Sequence, residues 1–118
     1  MAVRKGRPIK DVIRRDTRRV NVTWKDSDGV VIDLTGGTGY FTVNADDDPA
    51  TDSTAIIQKT TTSFTDATAG EHTFNLTHSD TDITPGDYWY DAQFVDSAGS
   101  YLSSYRGEFS VQSDITRS

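Results

Sequence analysis

The stretch DITPGDYWYDAQFV (residues 82–95) decides the fold of this chain. From Tyr88 onward, aromatic and small residues occupy every second position, which is the period of a strand with one buried face. The next five residues, DSAGS (96–100), supply a glycine-containing hairpin loop. The run YLSSYRGEFSV (101–111) then alternates again. The two runs are therefore predicted to form a central antiparallel hairpin, with Tyr90 and Phe94 in its buried face.

Shorter strands are predicted along the rest of the chain, separated by turn signals about every eight to twelve residues. Val20, Val22 and Trp24 alternate with polar residues, which places Trp24 in the core. A helical turn is predicted at 78–82, capped by Thr77 or Ser79. Seven to eight such strands predict an all-β antiparallel sandwich. Tyr88 would be a tyrosine corner, with its hydroxyl bonded to upstream backbone.

The 118 residues allow one domain, for which we predict three parts. Residues 1–8 lack apolar periodicity and are predicted to form an extended arm. The β-sandwich spans 9–112, and a polar tail covers 113–118. The absence of cysteine excludes disulfides and thiolate metal sites. The apolar runs are too short to span a bilayer, and no signal peptide is recognisable, so no membrane partner is expected.

Charge is distributed unevenly along the chain. Residues 1–25 hold nine Lys or Arg and two Asp, whereas 26–118 hold three Lys or Arg and sixteen Asp or Glu. This pattern predicts docking of the basic segment on an adjacent subunit or another protein. The candidate docking residues are Arg4, Lys5, Arg7, Arg14, Arg15, Arg18 and Arg19.

Two other interpretations of these cations stay open. Arginines on an edge strand discourage edge-to-edge aggregation simply by being solvated. A nucleic-acid contact is less favoured, because no aromatic residues that could stack on bases are interleaved with the arginines.

Catalytic chemistry is not indicated. His72 and His78 have no evident nucleophile partner and do not have the spacing of a zinc motif. The aspartates at 26–28 could bind calcium, but Val30 to Ile32 follow them in place of the further ligands of an EF-hand. The three successive carboxylates at 46–48 could also bind a cation, but they repel one another, so we expect both to be ordinary solvated loops. We predict no enzyme, no catalytic or metal residues, no cofactor and no small-molecule ligand.

The succession of motifs resembles a phage family. They are RRDTRRVNVTW (14–24), DSDGVVIDLTG (26–36), YFTV (40–43), FTDATAG (64–70), ITPGDYWYD (83–91) and GEFSV (107–111). In this order they are similar to the immunoglobulin-like N-terminal domain of the baseplate upper proteins of tailed phages, and to small stand-alone virion proteins built on that domain. The resemblance covers roughly residues 12–112 and rests on the order of the motifs.

The resemblance implies an immunoglobulin-like sandwich and a structural protein of a tailed virus, of bacteria or archaea. Such a protein docks on other virion proteins and on copies of itself, and is found in the virion after assembly in the host cytoplasm. The projecting C-terminal part of the baseplate proteins has no counterpart in these residues. A tail- or baseplate-associated, connector or decoration role is therefore expected.

An alternative is an immunoglobulin-like module that binds carbohydrate or a cell surface. Such modules use exposed aromatic residues, and the candidate here is Trp89, which lies on the opposite face of its strand from Tyr88 and Tyr90.

Overall fold

A computed structural model describes residues 2–45 and 56–113. The eight strands are β1 (Ala2–Lys5), β2 (Ile9–Ile13), β3 (Arg18–Thr23), β4 (Thr38–Asn44), β5 (Ile57–Thr61), β6 (Glu71–Leu76), β7 (Gly86–Val95) and β8 (Tyr101–Gln112). Within the described ranges no helix is long and apolar enough to cross a membrane. The aspartates at 46–48 and all but the first residue of the predicted tail lie outside the described residues.

The strands form two sheets, and the prediction of an all-β sandwich of about eight strands is confirmed. The larger sheet has the order β1-β8-β7-β4-β5, and β2 pairs with β8 beside β1. The smaller sheet contains β3 and β6. The prediction of purely antiparallel pairing is wrong at one edge, because β1 and β2 both run parallel to β8.

The structure corrects the prediction of an extended arm over residues 1–8. Residues 2–5 pair with Ser103 to Arg106 on β8, and the Gly6 N–H donates to the Arg106 carbonyl at 2.6 Å. This segment therefore belongs to the edge of its own sheet. An edge strand can be held by main-chain hydrogen bonds, which need no apolar periodicity, so the sequence pattern gave no sign of it.

Trp24 lies at the centre of the core and is fully buried. Its ring centroid is 5.9–6.3 Å from those of Phe64, Phe74 and Phe94, and its Nε1–H donates to the Ala92 carbonyl at 3.2 Å. The predicted core positions of Trp24, Tyr90 and Phe94 are confirmed. The hydroxyl of Tyr88 donates to the carbonyl of Thr84, four residues upstream, as a tyrosine corner requires.

Two turns of related sequence, DSDGV (26–30) and DSAGS (96–100), have the same hydrogen bonds. In each, the aspartate Oδ1 accepts the N–H groups two and four residues later, at 2.8–3.0 Å. In each, the glycine N–H donates to the aspartate carbonyl, and the glycine has a φ of 81° or 86°. Glycine is favoured there because this backbone conformation strains other residues. Both turns are thus held by local bonds.

Candidate functional site

The histidines do not form a reactive site in the described part of the chain. The ring of His72 packs edge-on against Phe64 and Phe74, and its Nδ1 accepts the N–H of Thr65 at 3.2 Å. Burial lowers the pKa of His72, so the ring is neutral near pH 7. His78 lies exposed in a separate turn.

The loop aspartates are used as turn caps. Besides Asp26 and Asp96, the Oδ1 of Asp33 accepts both the N–H and the hydroxyl of Thr35, at 3.0 and 2.7 Å. Both bonds lower the pKa of Asp33, and the bond from the hydroxyl has the larger effect. Among the described residues no group of three or more His, Asp or Glu is placed to hold a metal ion. The carboxylates of Asp26 and Asp33 are therefore explained by local structure.

The candidate docking residues Arg14 and Arg15 have a partner within the molecule. Their Nε atoms lie 2.9 and 3.3 Å from the same oxygen, Oδ1 of Asp82. The buried Thr81 next to it donates its hydroxyl to the Asp16 carbonyl at 2.8 Å. The hydrogen bond from Arg15 is the largest cause of the lowered pKa of Asp82. These two arginines therefore fasten the β2–β3 turn to the connection between β6 and β7.

That connection contains the helical turn predicted from sequence. The N–H of Thr77 donates to Oδ2 of Asp80, and the Asp80 N–H donates to the Thr77 hydroxyl, at 2.7 and 3.2 Å. This reciprocal pair is a capping box. Asp80 also forms an ion pair with Lys59 of β5 at 2.7 Å. The turn thus gives Asp82 a fixed position for Arg14 and Arg15.

The remaining candidate cations are not gathered with them in one patch. Arg19 is exposed and Arg18 is half-buried at the start of β3, close to the β2–β3 turn. Arg4 and Lys5 pair with positions on β8 that lie roughly 20 Å from Gln112, where β2 ends. Arg7 follows β1 in the link to β2. The seven residues predicted as a docking set are therefore split between the neighbourhood of β1 and that of the β2–β3 turn.

A different surface has the composition of a contact site. We call it the outer face: the side of β4, β7 and β8 that points away from the core. It consists of Tyr40, Thr42, Asn44, Trp89, Asp91, Gln93, Ser104, Arg106 and Glu108. Thr42, Asn44 and Ser104 are buried, so the other six provide its solvent-exposed surface.

Trp89 marks one end of the outer face and Tyr40 the other. Trp89 is 37% exposed and lies directly between Asn44 and Glu108 on the neighbouring strands. Tyr40 is four residues along β4 from Asn44, which separates the two aromatic residues by roughly 14 Å. Asp91 and Arg106 are cross-strand neighbours between them.

The position of each outer-face residue is fixed by long, regular strands. Ten positions of β7 pair with β8, and the one register shift lies at Val95, beyond the face. The Ser104 hydroxyl donates to Oδ1 of Asp91 at 2.8 Å, which orients that carboxylate. Trp89 was the only residue of this surface that sequence singled out. Tyr40 and Arg106 were missed, because period-two alternation marks them as outward-facing but does not show that their strands are neighbours.

The comparisons with known proteins do not assign the chain: no family model and no curated protein matches it.

Proposed function

We propose that this protein is a non-enzymatic structural component of a tailed virus particle that docks on other virion proteins through the outer face. It would serve as a tail- or baseplate-associated, connector or decoration protein. The observation that carries the docking proposal is the exposed Trp89, on one rigid face with Tyr40 and Arg106. The order of motifs along the sequence, and an eight-stranded sandwich, support the virion setting.

Trp, Tyr and Arg are the residue types that dominate binding energy in protein interfaces. Here they are mounted on central strands, so little conformational freedom is lost when a partner binds. The charged groups of the outer face, Asp91, Glu108 and Arg106, include both signs, which suits a partner surface of mixed charge.

The size of the outer face favours use in many copies. Three strands about 4.8 Å apart, over about five residues, cover roughly 250 Å². A standard interface buries about 800 Å² on each partner, so one contact through this face alone would be weak. Repetition on a symmetric particle would add avidity to such a contact.

The alternative function, a carbohydrate- or cell-surface-binding module, would use the same face. The exposed ring of Trp89 could stack on a sugar ring, and the nearby Asp91, Gln93 and Arg106 offer hydrogen-bonding groups. This alternative predicts that Trp89 contacts a glycan and not a neighbouring virion protein.

The test replaces Trp89 by Ala and measures folding, incorporation into particles and binding to a glycan array. Tyr101→Ala is the matched control, because Tyr101 is an exposed aromatic residue (56%) that pairs with Val95 beyond the register shift and is not one of the nine outer-face residues. If the outer face docks, Trp89→Ala should fold normally, bind the particle with an affinity reduced by about 30-fold or more, and fail to be incorporated. The control should be incorporated normally. Normal incorporation of Trp89→Ala would refute docking by this face, and glycan binding lost with Trp89 would establish the alternative.

A further inference from the structure

The open edge of β3 has regular backbone groups that no described residue pairs. β3 pairs with β6 over six consecutive positions without a register shift. On the far side of β6, the Thr73 N–H donates to the Thr65 hydroxyl at 3.1 Å, and Glu71 exchanges two backbone bonds with Asp66. The backbone groups of Thr73 and Glu71 therefore point away from β3.

The direction of these bonds fixes the direction of the groups on β3. In a non-hydrogen-bonded pair of an antiparallel ladder, the N–H and C=O groups of both residues point away from the partner strand. Asn21 lies opposite Thr73, and Thr23 lies opposite Glu71. Both therefore turn these groups toward the open edge of β3, and so does Arg19 by the same alternation.

The open edge continues past the end of β3. The Trp24 N–H donates to Gly70, and the Trp24 carbonyl accepts from Ile32, so residues 30–32 continue the β6 side of the sheet. Lys25, paired with Val31, then also turns its backbone groups to the open side. The edge runs over 19–25, roughly 23 Å, with no glycine or proline.

The outer sides of β6 and β8, by contrast, are occupied in the described ranges. Thr65 and Asp66 bond to the outer side of β6, and β1 and β2 take up the outer side of β8. Within 2–45 and 56–113, the backbone groups of Arg19, Asn21, Thr23 and Lys25 that face the open side have no hydrogen-bond partner.

We propose that the β3 edge binds an extended acidic segment of a partner protein, which adds as a third strand to the β3–β6 sheet. Main-chain bonds give such strand addition its affinity. A two-stranded sheet gains stability from a third strand. This inference concerns a surface separate from the outer face and does not depend on the proposed function.

The charges of the edge select the partner. Arg18, Arg19 and Lys25 are cationic, and no carboxylate lies between 18 and 25. Acidic residues opposite Arg19 and Lys25 would stabilise the added strand, whereas basic residues there would weaken it. Val20 and Val22 point into the core, so apolar residues should alternate with the polar ones in the partner segment.

The probe that tests this is the capped peptide EVTVTVE, whose palindromic order places glutamates opposite Arg19 and Lys25 in either strand direction. The control is KVTVTVK, which has the same backbone and the opposite charge. We expect the acidic peptide to shift the backbone amide NMR signals of Arg19, Asn21 and Thr23, and to slow their hydrogen exchange. The basic peptide should bind about tenfold more weakly.

A protein variant tests the charge selection separately. In the double variant Arg19→Glu, Lys25→Glu the preference should reverse, so that KVTVTVK becomes the tighter ligand. Arg19 is exposed and Lys25 is half-buried, and neither has an ion pair among the described residues, so folding should be retained. Equal binding of both peptides to the wild type, or no change at the 19–25 amides at millimolar peptide, would overturn the proposal.

Discussion

Tyr90 should hold the N-terminal strands in place, and its hydroxyl offers a way to test this. The ring of Tyr90 lies across Gly107, where an added Cβ would be 2.6 Å from Cε2. Its hydroxyl reaches Gly6, where an added Cβ would overlap the hydroxyl oxygen. The hydroxyl donates to the Arg7 carbonyl at 2.9 Å. This bond joins the middle of β7 to the link between β1 and β2.

The substitution Tyr90→Phe removes this bond and keeps the ring. A hydrogen bond of this kind contributes about 1 kcal/mol, which is roughly a fivefold change in the equilibrium between the docked and the open N-terminal segment. Local opening of that segment exposes its amides to exchange. Hydrogen–deuterium exchange should therefore become roughly fivefold faster at residues 2–6, whereas amides at the centre of β7 should change little.

The matched control is Tyr88→Phe, two residues away on the same face of β7. Its hydroxyl bonds to Thr84, so this variant should leave exchange at residues 2–6 unchanged. Equal N-terminal exchange in wild type and Tyr90→Phe would refute the reasoning. So would an N-terminal segment that is already unprotected in the wild type, because no docked state would then exist to be weakened.

Three further outcomes are expected. Trp24→Ala should lower the free energy of unfolding by about 3–5 kcal/mol in urea titration, and a near-wild-type value would contradict its place in the core. Asp96→Ala should lower the free energy of unfolding by about 1 kcal/mol in the same titration, because its carboxylate accepts two backbone N–H groups of the turn, whereas Ser97→Ala should lower it little. The pKa of His72 in the folded state is lowered from 6.5. As the pH falls, the unfolded chain therefore binds a proton at this histidine at a higher pH than the folded chain does. Thermal stability should therefore decrease as the pH falls through about 6.5, and His72→Gln should remove that part of the decrease; an identical slope in the variant would contradict it.

The alternation rule predicted the strands that bury a face and missed those that do not. Residues 86–95 and 101–111 form the predicted hairpin because one side of each strand is buried. β1 has no such pattern and was predicted as an arm. Conversely, the apolar residues Val30, Ile32 and Leu34 occupy alternate positions, yet this segment forms no strand and only Val31 makes an isolated β-bridge. Val30 lies exposed at the turn, and Leu34 enters the core from a loop.

The candidate sites were less predictable, because they depend on which segments meet. Arg14 and Arg15 are separated from their partner Asp82 by 68 and 67 positions in the sequence, and no local pattern indicates that pairing. The outer face likewise needs the register that brings Tyr40, Trp89 and Arg106 onto neighbouring strands. Sequence identified Trp89 alone, because its outward position follows from the alternation within one strand.

The parallel pairing of the N-terminal strands with β8 has a mechanical consequence. Ala2 lies beside Ser103 near the start of β8, whereas β8 ends at Gln112, roughly 30 Å further along the strand. Tension applied between residues 2 and 112 would pull β1 and β8 in opposite directions along their own axes. The bonds between them would then be loaded in shear, so that many must break together, whereas strands peeled apart sideways lose their bonds one at a time. The molecule should therefore resist stretching between residues 2 and 112 far better than its few N-terminal contacts suggest.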